Sequence, residues 1–189
     1  MKVLGIMGSP RRQGNSDLLL DEVLKGSREG GAEVEKAIVY RMKINPCREC
    51  NSCLGDGTCF MKDSMIDMYA RLLSSDVVVI SSPIFFYGIT SQLKAFVDRC
   101  QPLWARKYIL QQPSPNGQRR GVFIGVGATK GADLFDGSKL VMKYFFRAID
   151  VDYSDNLLFW GIEKRGEIKE HATALADAYQ LGLRLVAEQ

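Results

Sequence analysis

Short apolar runs recur along the chain at near-even intervals: Val3-Leu4-Gly5-Ile6-Met7, Val34 to Val39, Val77-Val78-Val79-Ile80, Val122-Phe123-Ile124 and Leu157-Leu158-Phe159. Each has the length and residue types of a strand. The segments between them carry apolar residues at helical spacing, such as Leu18, Leu19, Val23 and Leu24 in the first and Leu93, Phe96 and Val97 in the third. The alternation predicts strand, helix, strand, helix along the whole chain.

Strands that are apolar almost throughout must be covered on both faces, which is the mark of a parallel sheet between helical layers. Five such strands predict an α/β fold with the doubly wound, flavodoxin-like order 2-1-3-4-5. With 189 residues, 46% of them hydrophobic, the chain suits one compact domain over residues 1–189, with a cysteine-rich insertion at 45–62. No internal repeat or low-complexity tract interrupts it. Gln111 to Arg120, with two Gln, two Pro and Asn-Gly, reads as an exposed loop.

Charge narrows the function classes. Lys and Arg number 25 against 22 Asp and Glu, a formal net charge of +3 without a basic run, so nucleic acid is not an expected partner. No apolar stretch approaches a bilayer span, and Gly8-Ser9-Pro10 with two arginines breaks the only amino-terminal apolar run. Five cysteines, four of them between Cys47 and Cys59, fit a reducing, cytoplasmic setting better than a disulfide framework.

The first strand ends in Gly8-Ser9-Pro10-Arg11-Arg12-Gln13-Gly14-Asn15-Ser16, and a helical pattern follows directly, with Asn15 or Ser16 as the expected cap. Such a loop aims free backbone N–H groups and the positive end of a helix dipole at one point, which suits a phosphate. Neither the ATP-type P-loop ending nor Gly-x-Gly-x-x-Gly is present, so a mononucleotide phosphate fits better. The plain alternative is a polar turn that binds nothing.

The third strand runs out into Ser81-Ser82-Pro83-Ile84-Phe85-Phe86-Tyr87-Gly88-Ile89-Thr90, before a helical pattern from Gln92 to Cys100. In the order 2-1-3-4-5 the first and third strands flank the winding reversal, where ligands bind. Phosphate donors on one loop and flat aromatic faces on the other point to FMN. Alternatively, some of Phe85, Phe86 and Tyr87 belong to the core or to a subunit interface.

With these loops in place the chain resembles the NAD(P)H-dependent FMN reductases, and among them the iron-sulfur flavoproteins. The resemblance rests on Gly8 to Arg11 with Gly14-Asn15-Ser16, on Pro83 to Gly88, and on Gln92-Leu93-Lys94-Ala95-Phe96-Val97-Asp98-Arg99. It implies that Ser9, Arg11, Gly14, Asn15 and Ser16 grip the FMN phosphate. Pro83, Ile84, Phe85, Phe86, Tyr87 and Gly88 would line the isoalloxazine. The loop from Gly125 to Gly131, with Gly127 and Thr129, would close over the ring's other side.

Cys47, Cys50, Cys53 and Cys59 form Cys-x2-Cys-x2-Cys-x5-Cys, a spacing that wraps a 4Fe-4S cubane and that iron-sulfur flavoproteins share. Zinc and an empty site stand as alternatives. Cys100 reads as a small buried hydrophobe. His171 reads as a solvated residue of a terminal helix, and no nucleophile-base pair is evident. A flavin supplies its own chemistry, so no catalytic side chain is required, and backbone amides at Tyr87-Gly88 or Gly127 to Thr129 would stabilise the reduced ring.

The expected activity is therefore an FMN-dependent oxidoreductase passing electrons from NAD(P)H or a reduced ferredoxin to flavin, quinone or oxygen species. A non-enzymatic FMN/4Fe-4S electron carrier and a cysteine-based redox or metal sensor are the alternatives. A homodimer or homotetramer is expected, with Leu103-Trp104 and Tyr144-Phe145-Phe146 as candidate contact patches.

Overall fold

In the computed structural model, which describes residues 1–112 and 117–187, five parallel strands form one sheet in the order β2-β1-β3-β4-β5. The strands are β1 (Lys2–Met7), β2 (Glu33–Ile38), β3 (Val77–Pro83), β4 (Arg120–Gly127) and β5 (Asp152–Trp160). The helices are α1 (Asn15–Glu29), α2 (Cys53–Asp56), α3 (Met65–Ser74), α4 (Ser91–Asp98), α5 (Gln101–Tyr108), α6 (Asp136–Ala148) and α7 (Ala174–Ala187). The order is the flavodoxin-like one read from the apolar runs. Of the loop expected over Gln111 to Arg120, residues 113–116 lie outside the described residues.

Successive strand residues face opposite layers. Leu4, Ile6, Val78, Ile80 and Phe123 pack on one side with Met68, Phe96, Phe145 and Phe146. Val3, Met7, Val77, Val79, Val122 and Ile124 pack on the other with Leu19, Val23, Ala178 and Leu181. The central strands are buried along nearly their whole length, whereas β2 and β5 alternate in exposure as edge strands do. That alternation hides part of β5: the expected Leu157 to Phe159 is only the apolar end of a nine-residue strand.

The layer of α1 and α7 depends on two glycines. A Cβ on Gly26 would stand 2.2 Å from the Tyr179 carbonyl oxygen, and one on Gly182 would stand 2.1 Å from that of Val23. Buried Ser27 donates to the Gly182 carbonyl at 3.2 Å, so the helices touch backbone to backbone. Three sequence expectations shift locally. Gly14, not Asn15 or Ser16, caps α1, and no side chain bonds to that helix start. Val39 leaves the second strand for a short turn at Val39–Arg41. His171 precedes α7; its Nδ1 accepts from the N–H groups of Thr173 and Ala174 at 3.3 and 3.2 Å.

At the amino edge of the sheet, Arg119 is 2% exposed. Its guanidinium donates to the carbonyls of Ser75 and Ile149, both at 2.8 Å, and to that of Leu72. It thereby caps the carboxyl ends of α3 and α6, where a cation is favoured. The patches proposed for subunit contact are largely internal: Leu103, Phe145 and Phe146 are buried, while Tyr144 is exposed. Among the described residues no helix is long and apolar enough to cross a membrane.

Gly26→Ala is expected to force α1 and α7 apart and to lower stability by about 2–3 kcal/mol, as overpacking at a rigid backbone contact does. Urea unfolding of the variant beside the parent checks this. An unchanged midpoint would mean that the helices move apart freely.

Candidate functional site

At the carboxyl edge, β1 and β3 end side by side where the winding reverses. The Gly8 N–H donates to the Ser81 carbonyl at 2.8 Å, and a Cβ on Gly8 would meet that oxygen at 2.8 Å and Leu93 Cδ2 at 2.7 Å. Buried Thr90 caps α4 by accepting from Leu93 N at 3.2 Å, while its hydroxyl donates to the Gly8 carbonyl at 2.6 Å. The Thr90 N–H in turn donates to Ser82 Oγ at 3.3 Å. One threonine thus ties the two loops together. Sequence reading passed over it, because nothing in the chain distinguishes this threonine from any helix cap.

The loop after β1 is folded around Ser9, whose Oγ accepts from Arg11 N at 3.1 Å and donates to Arg11 O at 3.2 Å. Asp17 accepts from Gln13 N at 2.7 Å and is paired with Lys36 at 2.5 Å, so its charge at the helix start is compensated. Helix α1 leaves its first N–H groups without intrahelical partners, and its first residues, Asn15 and Ser16, line a crevice.

That crevice, of about 300 Å³, is lined by Ser9, Arg11, Gly14, Asn15 and Ser16 on one side and by Pro83, Ile84 and Phe85 on the other. Eight of the residues singled out in the sequence therefore meet in one cavity. Phe86, Tyr87, Gly88, Gly127 and Thr129 are not among its lining residues. Gly127 ends β4 with Leu134 against it, and Thr129 is exposed.

A further wall comes from Ile162, Glu163 and Arg165, beyond β5. Asn15 holds it: its Nδ2 donates to the Lys164 carbonyl at 2.9 Å, and its Oδ1 accepts from Ile168 N at 3.2 Å. Arg165 Nη2 donates to the Arg12 carbonyl at 2.8 Å. Only Gly161 and Gly166, both at positive φ, hint at a shaped loop here. Nothing in the chain says which face it covers.

The aromatic loop is a tight hairpin turn. Phe85 and Gly88 exchange both backbone hydrogen bonds, at 2.9 and 3.0 Å, leaving Phe86 and Tyr87 at φ 49° and 61°. Both central residues thus occupy the left-handed region that favours Asn and Gly. All three aromatics are exposed, Phe86 completely, so none is core. Tyr87 backs onto Gly131, where a Cβ would lie 2.5 Å from its hydroxyl. Ile84 N, bonded to the Val126 carbonyl at 2.8 Å, anchors the turn to β4.

Cys47, Cys50, Cys53 and Cys59 line a separate cavity of about 460 Å³ together with Arg48, Arg99 and Trp104. Cys50 is exposed, and its neighbour Ser52 (Oγ at 3.4 Å) lowers its thiol below the ordinary value. Burial, and then the neighbouring Cys59, Cys47 and Cys50, push the Cys53 thiol up. Among the described residues no three His, Cys, Asp or Glu side chains converge as a metal-holding group. Cys100 is buried in the core, as its sequence context implies.

Buried Arg99, from the family-like helix pattern, pins the cysteine loop. It donates to both Asp63 oxygens, at 2.5 and 3.0 Å, and to the Asn45 carbonyl at 2.7 Å. Its Nη2 lies 3.6 Å from Cys59 Sγ. Burial pushes the Asp63 carboxyl up, but the bonds from Arg99 and from the Asn45 and Met65 N–H groups outweigh it and hold it below the ordinary range.

The sheet order, with a crevice at its switch point, defines a flavodoxin-like α/β protein. The chain belongs to the NADPH-dependent FMN reductase family, whose model matches residues 1–150. Two proteins of Archaeoglobus fulgidus, each named an iron-sulfur flavoprotein, are similar to it. One is 38% identical over 130 residues, 67% of this chain and 56% of that one; the other is 32% identical over 141 residues, 75% of this chain and 67% of that one. The chain thus spans little more than half the length of the first. A solved flavone reductase shares the fold with a TM-score of 0.74 at 23% identity, covering 99% of this chain and 62% of that chain.

Two outcomes follow from this geometry. Phe86→Asn is expected to raise stability by about 1 kcal/mol, because Asn tolerates the left-handed backbone, and thermal unfolding reads it directly. Because the folded-state pKa of Asp63 is depressed, its contribution to stability is present above the unfolded pKa of about 3.9 and is lost as pH falls through the lower folded value. Asp63→Asn should cost about 3–5 kcal/mol at neutral pH and flatten the acid limb of a stability-versus-pH curve. An equally steep acid limb in the variant would assign it to other carboxylates.

Proposed function

We propose that the protein is an FMN-dependent oxidoreductase that takes electrons from NAD(P)H or a reduced ferredoxin and passes them to a flavin, a quinone or a similar small acceptor. The observation that carries this reading is the crevice at the winding reversal, where Ser9 and the start of α1 meet Pro83, Ile84 and the exposed Phe85. Membership in the NADPH-dependent FMN reductase family supports it. In this reading residues 1–189 form a single domain, with the cysteine-rich segment 45–62 inserted into it.

The residues present fit FMN. The start of α1, with Ser9, Arg11, Gly14, Asn15 and Ser16, would take the phosphate through backbone and side-chain donors. Pro83 to Gly88 would lie against the ring, with Gly127 and Thr129 on the far side. When bound, FMN would supply hydride acceptance from nicotinamide and one- or two-electron release. The protein's part is alignment: the strained turn presents Phe86 outward, and the Asn15-held segment at Ile162 to Arg165 closes one side.

The cysteine segment supports a second component. Cys47, Cys50, Cys53 and Cys59 line one space of about 460 Å³ without converging on a point, their chemistry is the donor set of a 4Fe-4S cluster, and the Archaeoglobus fulgidus relatives carry iron-sulfur in their names. Cys47, Cys50, Cys53 and Cys59 would hold it, supplying one-electron exchange beside the two-electron flavin. Zinc or a thiol-based sensor would use the same residues without that exchange. A neighbouring subunit would shelter the exposed aromatics in a homodimer or homotetramer.

Protein isolated without oxygen is expected to be yellow and to be bleached by NADPH or NADH or, failing both, by a reduced ferredoxin. A quinone should restore the colour. Reduction by ferredoxin alone, without nicotinamide turnover, would favour the electron carrier. Ser9→Ala and Arg11→Ala should each weaken FMN binding by about tenfold, the worth of one hydrogen bond to a charged group, as read by quenching of FMN fluorescence. A colourless protein that binds no FMN overturns the reading.

A further inference from the structure

Arg99 is 1% exposed, sits at the carboxyl end of α4, and spends its donors unevenly. Nη1 serves Asp63 and the Asn45 carbonyl, while Nη2 serves the other Asp63 oxygen and Cys59 Sγ at 3.6 Å. Nε is buried without a hydrogen-bond partner among the described residues. A buried guanidinium that needed only to hold a loop would be expected to satisfy all its donors in oxygen, since each unmet buried donor is costly. Here one N–H is aimed at a sulfur and another is left over.

We propose that Arg99 is a positioning residue for the cysteine site: it fixes Cys59 as the fourth ligand and, through an N–H···S bond, makes the bound cluster easier to reduce. This rests on the reading that the four cysteines hold a 4Fe-4S cluster. Asp63 makes the ion pair formally neutral, so the aimed N–H, not a net charge, is the instrument. Reduction adds negative charge that is shared by the ligand sulfurs, and hydrogen bonds to those sulfurs are among the levers that set a cluster's potential. Arg48 and Glu49 also line the cavity, but on the exposed cysteine loop itself. Asp63 and Asn45 lock Arg99 in place from the two ends of that loop.

The experiment is done on the full chain, purified without oxygen, with iron and acid-labile sulfide measured first. A parent protein lacking both overturns the cluster reading and this proposal together. In loaded parent protein, labelled with 15N only in the guanidinium groups of arginine, pulsed electron paramagnetic resonance of the dithionite-reduced cluster should show nitrogen coupled to it. No such coupling overturns the role of Arg99 alone. Arg99→Gln and Arg99→Lys are then titrated with redox mediators. Loaded variants should lose the coupling and bind the electron about tenfold more weakly, a potential about 59 mV lower, with Arg99→Lys intermediate. A loaded variant with the parent's potential overturns the proposal. If Arg99→Gln fails to fold, Arg99→Lys and the labelled parent still decide it.

Discussion

The carboxyl edge of this molecule depends on how closely β1 and β3 can end together. The Gly8 amide meets the Ser81 carbonyl there, and Thr90 reaches across to the Gly8 carbonyl while it starts α4. A side chain at residue 8 would collide with both Leu93 and Ser81. Only with that junction closed do the loop around Ser9 and the segment Pro83 to Phe85 line one crevice. In a doubly wound sheet the reversal opens the space, and here hydrogen bonds of the Gly8 amide and carbonyl hold its two sides together.

Helix α4 links this crevice to the cysteine pocket. Its first turn is capped by Thr90, which holds the two crevice loops, and its last turn leads into Arg99, which holds the cysteine loop. Eight helical residues rise by about 12 Å, so both candidate centres hang on opposite ends of one short rigid element. Tyr69 adds to that rigidity by donating to the Arg99 carbonyl at 2.7 Å. An arrangement of this kind keeps the crevice and the cysteine pocket at a fixed separation.

The sheet was legible because the central strands are buried on both faces, and burial writes continuous apolar runs. The two loops at the reversal were legible for a different reason: Gly, Ser and Pro beside strand ends, and three aromatics in a turn, are costly unless used. The wall at Ile162 to Arg165 left no such trace, since exposed polar residues do not announce what they cover. The cap of α1 was misread because Asn15 offers a good capping side chain, yet it spends both polar groups on the segment Lys164 to Ile168. Tertiary demand overrode local preference. Leu103, Phe145 and Phe146 looked like interface for the converse reason, as an apolar residue in a helix gives no sign of which layer it faces.

Two buried arginines show how structure separates roles that sequence cannot. Arginines are mostly exposed in folded proteins, yet Arg99 and Arg119 are both buried. Arg119 gives three donors to three main-chain carbonyls at helix ends, and burial lowers its pKa against the opposing charges of Asp150 and Asp76. That accounts for it completely as a clamp at the amino edge. Arg99 is as deeply buried, but it is paired with a carboxylate, turned toward a sulfur and left with an idle N–H. A clamp selected for stability alone would follow the first pattern. The second is what is expected when a cation is kept in the interior for what it does to its neighbour.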